Sequence, residues 1–485
     1  MSGFYFRKAR VSFDCQTKPF TVLHSLAFIT LNYGSKDCQP KKNNVSGPAL
    51  FNAPSPRLGR SLFFITGDTS KETRSAEEKQ PSEFTTLPQQ RCSSSSNQVK
   101  LITRSARPFT STLAQTLSSA ALADPHVDAD DYEYEQADPD ALLRECEEVL
   151  RNRPPRLHRD FMMTRACSLQ NASIRIMQWN ILAQALGEGK DGFVRCPMEA
   201  LNWSERKYLI LEEILTYRPD VLCLQEVDHY FDTFQPVLAS LGYQSSFCPK
   251  PCSPCLDVHN NNGPDGCALF FNRRRFQLLH TAHLRLSAMM LKTNQVAIVA
   301  TLRCRLTGQI FSVAVTHLKA RSGWEAFRSA QGAHLLQQLC DLTTQSHLEI
   351  DVENRTRDGE EGIPLVVCGD FNAEPSEEVY RRFMTSPLGL ESAYKCLSED
   401  GNTEPLYTSW KIRPSGESRS TLDYIWYSER AFQVDAVLRI PSEEQIGPDR
   451  LPSYHYPSDH LSLSLAPNEV HSYSITAQMV CYTKA

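Results

Sequence analysis

Short apolar runs alternate with longer amphipathic segments from about residue 172 onward. The runs of strand length are residues 174–179, 221–225, 267–271, 295–306, 311–316 and 364–369. Strands that alternate with helices are typical of α/β folds, in which many strands pair in parallel. The stretch 265–317 contains strand-like runs only, so it predicts antiparallel pairing as well. We therefore expect an α/β domain with mixed sheets.

Helical periodicity marks the segments between these runs. Apolar residues within 204–217 recur at helical spacing, and Ser204 is expected to cap that helix. Residues 231–240 and 324–342 show patterns of the same kind. Residues 343–362 are polar and acidic without periodicity, and they predict an exposed loop.

The composition changes near residue 124, which divides the chain into regions of different character. Residues 1–123 are mostly hydroxyl-rich, and their first half is basic and poor in acids, which resembles an organelle transit peptide. We predict a targeting or disordered leader that directs the protein to mitochondria, with a second pool in the cytoplasm. Residues 124–171 are predicted to form an acidic linker and a lead-in helix, which Asp138 and Pro139 begin as N-cap and first residue.

The main folded domain is predicted to span residues 172–467, and residues 468–485 are expected to form a flexible tail. We expect this domain to be monomeric. No apolar run reaches the roughly 18 residues that a membrane span requires, so we expect none. Many of the 16 cysteines fall within apolar runs, which indicates buried free thiols of an intracellular protein rather than a disulfide framework.

The net charge of −5 and the pI of about 6.2 argue against a protein with a broad basic face for nucleic acid backbones. A small anionic substrate held by a few local cations is compatible with this charge. The overall charge therefore favours recognition of a small molecule at a local site.

Polar side chains follow several of the apolar runs directly. These residues are Asn180, Glu226, His317, Asp370, Asn372, Asp423 and His460. Side chains at strand ends converge in space when their strands share a sheet. The set is rich in oxygen and lacks cysteine, so it suits a hard cation such as Mg²⁺ that acts on phosphate.

Five short motifs carry a resemblance to a known family. They are Gln178-Trp-Asn180, Leu224-Gln-Glu226, Gly369-Asp-Phe-Asn-Ala373, Leu422-Asp-Tyr-Ile425 and Ser458-Asp-His460. Together and in this order they resemble the exonuclease–endonuclease–phosphatase superfamily, which includes deoxyribonuclease I-like enzymes. The resemblance implies a four-layer α/β sandwich, with two face-to-face mixed β-sheets flanked by helices, and makes 172–467 a catalytic domain.

The motif residues have expected roles in phosphoester hydrolysis. Glu226 is expected to bind Mg²⁺, and Asn180 to contact the metal or the phosphate. Asp370 would orient or deprotonate the attacking water, while Asn372 holds a phosphate oxygen. In a separate pair, the Asp423 carboxylate would fix the tautomer of the His460 imidazole and favour its charged form, which then stabilises the transferring phosphoryl group. His317 is a further candidate at the reaction centre.

Two cations point to the kind of phosphate. Lys319 and Arg321 are separated by one residue in an irregular segment, so both can reach one cleft. A terminal phosphate carries about two negative charges near neutral pH, and a lysine with a forked arginine suits it. The resemblance implies that this pair and Lys250 hold the 2′-phosphate of NADP(H), and that Arg413 makes a further substrate contact. The leading prediction is thus a Mg²⁺-dependent phosphatase that removes the 2′-phosphate of NADP⁺ and NADPH.

Other interpretations stay open at this point. The first alternative is a poly(A)-specific 3′-exoribonuclease, a deadenylase whose substrate is RNA. A scaffold that binds RNA or protein is disfavoured because the metal and base residues are all present. Cys248, Cys252, Cys255 and His259 have zinc-like spacing. Lys250 and three prolines interrupt this cluster, which argues against a zinc site.

Overall fold

The computed structural model describes residue 113 and residues 136–164, 173–350, 362–466 and 479–481. Apart from Leu113, the predicted leader lies outside these residues, so its targeting role stays a prediction. Among the described residues, no helix has the length and apolar character needed to cross a lipid bilayer.

The described residues form both α-helices and β-strands. The helices are α1 (Pro139–Leu150), α2 (Met198–Leu201), α3 (Trp203–Tyr217), α4 (Gln235–Ser240), α5 (Glu325–Ile350), α6 (Glu378–Met384) and α7 (Glu443–Ile446). The strands are β1 (Phe161–Met163), β2 (Ser173–Ile174), β3 (Ile176–Asn180), β4 (Val221–Val227), β5 (Tyr243–Pro249), β6 (Gly266–Asn272), β7 (Phe276–Ala288), β8 (Leu291–Cys304), β9 (Ile310–His317), β10 (Leu365–Asp370), β11 (Leu390–Ser392), β12 (Ser409–Arg413), β13 (Gly416–Ser420), β14 (Asp423–Ser428), β15 (Phe432–Val434), β16 (Ala436–Leu438), β17 (Leu463–Ala466) and β18 (Met479–Cys481).

Two large mixed sheets form the centre of the domain. The first has the strand order β1-β16-β17-β3-β4-β6-β5, and the second has the order β11-β14-β10-β9-β8-β7. Parallel pairing joins β3 to β4 in the first sheet and β9 to β10 in the second. The other neighbours in both sheets pair antiparallel. Those of β7, β8 and β9 confirm the antiparallel pairing predicted for the strand-only stretch 265–317.

Apolar side chains alternate along the strands and fill three layers of core. Val221 and Cys223 of β4 pack between the sheets with Val313 and Val315 of β9. The intervening Leu222 belongs to a second core beneath α1, α3 and α4. A third core lies between the other sheet and helices α5 and α6. The predicted four-layer sandwich is therefore confirmed, because each sheet buries both of its faces.

Local details differ from the sequence-based prediction. The cap of α3 is Asn202 rather than Ser204, because Asn202 Oδ1 accepts a hydrogen bond from the Ser204 N–H at 3.0 Å. Helix α5 continues to Ile350, so the loop prediction was wrong for residues 343–350. The sequence analysis did not assign β7 as a strand. Polar residues at its exposed positions interrupt the sequence, so it shows no continuous apolar run, and only some of its apolar residues are buried.

The folded domain begins earlier than the predicted boundary at residue 172. Strand β1 pairs with β16 at the edge of the seven-stranded sheet. The buried Arg159 donates through Nη1 to the Ser462 carbonyl at 2.9 Å and through Nη2 to Glu213 Oε1 at 2.6 Å. The lead-in segment is thus part of the domain. At the other end, β18 pairs with β15 and β2, so the predicted tail 468–485 contains a strand.

The buried ion pairs of the lead-in segment give a test of this boundary. Glu213 is fully buried and pairs with both Arg156 and Arg159. Glu213→Gln leaves both guanidinium groups without their shared counter-charge, so the free energy of unfolding in urea should fall by about 3–5 kcal/mol. The matched control Glu148→Gln removes an exposed pair with Arg151 and should cost less than about 1 kcal/mol. Equally small effects of both variants would contradict an integral lead-in segment.

Candidate active site

The polar ends of neighbouring strands meet at one edge of the sandwich. Asn180 is the last residue of β3, and Glu226 lies near the end of the parallel neighbour β4. In the other sheet, Asp370 is paired with His317 across β9 and with Asp423 across β14. Since parallel strands end at the same edge, the fold brings these five side chains together.

A cavity of about 810 Å³ opens at this edge. Of the predicted site residues, its wall contains Glu226, Lys250, His317, Lys319, Arg321, Asp370, Asn372, Arg413 and His460. The other two, Asn180 and Asp423, lie directly behind the wall and bond to Asp370 and His460 respectively. The structure thus brings all the predicted site residues to one place, while their chemical roles stay predictions.

The Asn180 amide lies between two carboxylates. Its Nδ2 donates to Glu226 Oε1 at 3.1 Å and to Asp370 Oδ2 at 3.0 Å. Its Oδ1 accepts from the Leu182 N–H at 3.1 Å, which fixes the amide orientation. The Ala183 N–H donates to Glu226 Oε2 at 3.2 Å. Glu226 has a φ of 57°, a left-handed conformation that is uncommon for residues with a side chain and often found at functional sites.

Glu226 is well placed to hold a divalent cation. Burial raises its pKa to about 7, with Lys250 opposing the rise and Asp191 adding to it. A nearby cation would favour the ionised carboxylate. Together with the carboxylate of Asp370, Glu226 supplies oxygen donors that suit a hard ion.

Asp370 belongs to a second group of potential ligands. A nitrogen of His460 and carboxylate oxygens of Asp370 and Asp423 lie within 4.8 Å of one another. All three residues are buried, and the group is compatible with a divalent metal. Asp423 lies behind the cavity wall, whereas Glu226 lines the cavity, so Glu226 is the more accessible of the two to an ion.

The predicted pair of Asp423 and His460 is formed. His460 Nδ1 lies 2.8 Å from Asp423 Oδ2. The same carboxylate accepts from Thr408 Oγ1 at 2.7 Å and, through Oδ1, from Gln178 Nε2 at 2.8 Å. Burial opposes the imidazolium, but the carboxylates of Asp423, Asp370 and Asp459 together outweigh burial and raise the pKa of His460 to about 9. His460 is therefore charged at neutral pH.

His317 has the opposite electrostatic character. Its Nδ1 lies 3.3 Å from Lys250 Nζ, and its Nε2 lies 3.0 Å from Asn372 Nδ2. Burial, with the nearby charges of Lys250 and His460, holds the pKa of His317 well below its usual value. The site therefore contains one neutral and one charged imidazole, which suits them to different tasks.

Lys250 is a buried cation with its own counter-charge. Its Nζ donates to Asp265 Oδ2 at 2.6 Å. Burial alone would lower the pKa of Lys250, but the carboxylates of Asp265 and Glu226 raise it. Lys250 is thus charged, fixed in position and exposed to the cavity at its wall.

Lys319 and Arg321 lie in the segment between β9 and α5. Lys319 Nζ is 5.0 Å from the centroid of the Trp324 ring. Partial burial lowers the pKa of Lys319, and the neighbouring charges of Arg321 and Lys250 act in the same direction. Lys250, Lys319 and Arg321 therefore repel one another across the cavity. An anion bound between these three cations would offset the repulsion.

Arg413 is partly neutralised within the protein. Its Nη2 lies 2.8 Å from Asp191 Oδ2 and 3.7 Å from Asp459 Oδ2. Lys411 pairs with Asp459 as well, and its Nζ lies 3.3 Å from His460 Nε2. The sequence analysis did not select Lys411 as a site residue. Lys411 lies two residues before Arg413 on β12, so both side chains lie on the same face of the strand.

The cysteine cluster with zinc-like spacing does not form a metal site. Cys248 and Cys255 are buried, whereas Cys252 is exposed. The Cys252 N–H donates to Asn294 Oδ1 at 2.7 Å. In the part of the chain that the structure describes, only the group of Asp370, Asp423 and His460 meets the geometry of three convergent ligands.

The sequence and the fold now define the class of the protein. The profile of the Endonuclease/Exonuclease/phosphatase family matches residues 177–460, and the chain belongs to this family. This confirms the resemblance inferred from the five motifs, and it makes the protein a hydrolase of the phosphatase or nuclease type.

Within the family, the chain is similar to nocturnin. Nocturnin from Rattus norvegicus is 62% identical over 357 residues, which cover 73% of this chain and 80% of that protein. The CCR4-Not complex 3′-5′-exoribonuclease subunit Ccr4 of Yarrowia lipolytica is a more distant relative. It is 30% identical over 309 residues, which cover 55% of this chain and 44% of Ccr4.

Solved structures agree with this similarity. The human nocturnin catalytic domain with bound sulfate anion has a TM-score of 0.54 and 54% identity, and the match covers 68% of this chain and 99% of that domain. ANGEL2, a 2′,3′-cyclic phosphatase in complex with adenosine-2′,3′-vanadate, has a TM-score of 0.51 and 25% identity over 64% of this chain and 97% of ANGEL2.

The charged state of His460 is open to direct measurement. Its folded pKa of about 9 exceeds the value of about 6.5 for an unfolded histidine. Its charge therefore stabilises the fold fully below pH 6.5, and this contribution is lost as the pH rises through about 9. In metal-free protein, NMR titration of labelled histidines should give this pKa, and Asp423→Asn should lower it by more than about one unit. The titration of His283 should not change. A pKa of His460 near 6.5 in the wild type would contradict the pairing.

Proposed function

We propose that this protein is a Mg²⁺-dependent phosphatase that removes the 2′-phosphate of NADP⁺ and NADPH to give NAD⁺ and NADH. One observation carries the proposal: several cations line the same cavity as the carboxylate and imidazole residues. The cations are Lys250, Lys319, Arg321, Lys411 and Arg413, and the reactive groups beside them are Glu226, Asp370 and His460.

The number of cations favours a terminal phosphate over an internal link of a nucleic acid. A phosphomonoester carries nearly two negative charges near neutral pH, whereas each phosphodiester carries one. Arg413 and Lys411 are paired with carboxylates of the protein, and Lys250 is paired with Asp265. Lys319 and Arg321 are therefore the cations best able to neutralise a dianionic phosphate.

The carboxylates of Asp370 and Glu226 have different roles in the proposed reaction. Asp370 would orient the attacking water and accept its proton, since burial raises the pKa of Asp370 and makes it a stronger base. Asn180 donates to Asp370 at 3.0 Å and keeps it aimed at the cavity. Glu226 would hold Mg²⁺, which supplies positive charge to the phosphoryl oxygens when bound. The new bond forms between the water oxygen and phosphorus, and the bond from phosphorus to the ribose 2′ oxygen breaks. The proton that Asp370 takes from the water is returned through solvent to the 2′ oxygen, so the products are a 2′-hydroxyl and inorganic phosphate.

The imidazoles would stabilise the charge that develops. The His460 imidazolium offers a proton to a phosphoryl oxygen, and Asp423 holds its ring from behind at 2.8 Å. His317 is neutral, and its ring nitrogens face the donors Lys250 Nζ and Asn372 Nδ2, so it would hold these two groups in place without adding charge. Asn372 lies beside His317 at 3.0 Å, and its amide would hold another phosphate oxygen.

The similar proteins support a phosphate site of this kind. The human nocturnin catalytic domain binds a sulfate anion, which has the shape and charge of a phosphate dianion. ANGEL2 acts on 2′,3′-cyclic phosphate and was solved with an adenosine-2′,3′-vanadate, so a related fold accepts phosphate on the ribose 2′ oxygen. Both similarities are consistent with NADP(H), whose terminal phosphate occupies that position.

A poly(A)-specific 3′-exoribonuclease is the alternative, and the similarity to Ccr4 favours it. An adenylate chain has a free 2′-hydroxyl and monoanionic links, so it would leave Lys319 and Arg321 partly unpaired. This difference is the reason for preferring the phosphatase.

Metal dependence can be tested at Glu226. Glu226→Gln keeps the shape of the side chain but removes its charge. Phosphate release from NADPH should fall by at least about 100-fold, since even partners in the outer shell of a metal cost about 10- to 100-fold. Calorimetric titration should show weaker Mg²⁺ binding. The exposed Glu429→Gln serves as the control and should keep full activity. Full activity of the wild type in EDTA would refute the metal requirement.

Substrate choice can be tested at the two cations. Loss of one charged hydrogen bond costs about 1.5–3 kcal/mol, or about 10- to 150-fold. Arg321→Ala and Lys319→Ala should each lower kcat/KM for NADPH by about this factor while barely changing any cleavage of oligo(A). Arg274→Ala removes an exposed arginine outside the cavity and should have no effect. Rapid shortening of oligo(A) by a wild-type protein that releases no phosphate from NADPH would establish the deadenylase instead.

A further inference from the structure

One buried arginine holds the main chain of the segment that carries Lys319 and Arg321. Arg328, in the first turn of α5, is only 2% exposed. Its Nη1 donates to the Lys319 carbonyl at 3.1 Å and to the Arg321 carbonyl at 2.7 Å. A single guanidinium nitrogen thus joins the carbonyls of both residues that bear the proposed phosphate-binding cations.

The other side of the same guanidinium is fixed by a carboxylate. Arg328 Nε donates to Glu377 Oε2 at 2.9 Å, and Nη2 donates to Glu377 Oε1 at 2.8 Å. This forked geometry sets the plane of the guanidinium, which a lysine cannot do. Glu377 Oε1 also accepts from the Glu374 N–H at 3.4 Å. Glu374 lies just beyond Asp370 and Asn372, so one ion pair links both sides of the cavity.

The segment needs such an anchor because its backbone is unusual. Arg321 has a φ of 84° and Gly323 a φ of 81°, both in the left-handed region. That region suits glycine but is unfavourable for an arginine. The Gly323 N–H donates to Glu325 Oε1 at 2.8 Å, and the Lys319 N–H donates to Gln331 Oε1 at 3.1 Å. These bonds hold the flanks, whereas Arg328 holds the left-handed residue itself.

We propose that Arg328 and Glu377 are positioning residues that set the affinity for the 2′-phosphate by fixing the backbone beneath Lys319 and Arg321. The identity of this phosphate rests on the proposed function. Both residues line the cavity, but the N–H groups of Arg328 are taken up by Glu377, Glu325 and the carbonyls of Lys319 and Arg321, so we infer that the ion pair acts through the two cations rather than by contact with the substrate. The specificity of the site then depends on a forked ion pair within its wall.

Two variants separate geometry from charge. Arg328→Lys keeps the positive charge but cannot bond both carbonyls and both carboxylate oxygens at once. A displacement of about 1 Å can cost about 100-fold, so KM for NADPH should rise about 10- to 100-fold, with a smaller change in kcat. Glu377→Gln keeps the shape and one acceptor, so it should give an intermediate rise. The exposed neighbouring pair on α6 supplies matched controls, and Arg381→Lys and Glu378→Gln should leave KM unchanged.

Coupling to the two cations provides the decisive measurement. Calorimetry with inorganic phosphate and Mg²⁺ measures the anion affinity without any assumption about NADPH. In an otherwise wild-type protein, Arg328→Lys should weaken phosphate binding about 10-fold or more. It should have almost no further effect in a protein that already carries Lys319→Ala and Arg321→Ala, because residues that act through one another are not additive.

The outcomes distinguish this inference from the proposed function. Additive losses in phosphate binding would mean that Arg328 acts only on general structure, and the inference would be wrong. An Arg328→Lys variant that binds phosphate as tightly as the wild type would also overturn it, and so would an unchanged KM in Glu377→Gln. If the coupling is found but the wild type releases no phosphate from NADPH, the positioning role stands and the proposed substrate fails.

Discussion

Two amide side chains on one strand join the two sheets at the site. Gln178 and Asn180 are two residues apart on β3, so their side chains point to the same face. Gln178 donates to Asp423 at 2.8 Å and Asn180 donates to Asp370 at 3.0 Å, and both aspartates belong to the other sheet. A buried carboxylate without a partner is very costly. These two bonds, with those from Thr408 and the Asn372 N–H, therefore compensate for the burial of the aspartates that the proposed chemistry requires.

The charges of the site are balanced locally rather than across the whole molecule. The chain has a net charge of −5, yet its cavity contains several cations held by buried carboxylates. Each fixed pair, such as Lys250 with Asp265, sets a charge in place before any substrate arrives. Preorganised charges of this kind need no rearrangement when charge develops on a phosphoryl group, which is the main source of electrostatic catalysis.

The sequence predicted the site better than it predicted the limits of the domain. Site residues follow strand ends, and strand ends meet at an edge, so Asn180, Glu226 and Asp370 could be assembled from local patterns. The edge strand β1 is too short to show periodicity, and its place depends on pairing with β16, far along the chain. The role of Gln178 was missed because it comes from a distant contact with Asp423, which no local spacing reveals. Lys411 was missed although its spacing from Arg413 on β12 places both on one face.

The central claim is that the reactive phosphate is the terminal 2′-phosphate of a dinucleotide. Phosphorus-31 NMR tests this directly, because the monoester and pyrophosphate groups of NADP⁺ give separate signals. With wild-type protein and Mg²⁺, we expect the monoester signal to disappear as inorganic phosphate appears, while the pyrophosphate signals persist. Loss of the pyrophosphate signals, or an unchanged NADP⁺ spectrum from protein that shortens oligo(A), would contradict the account.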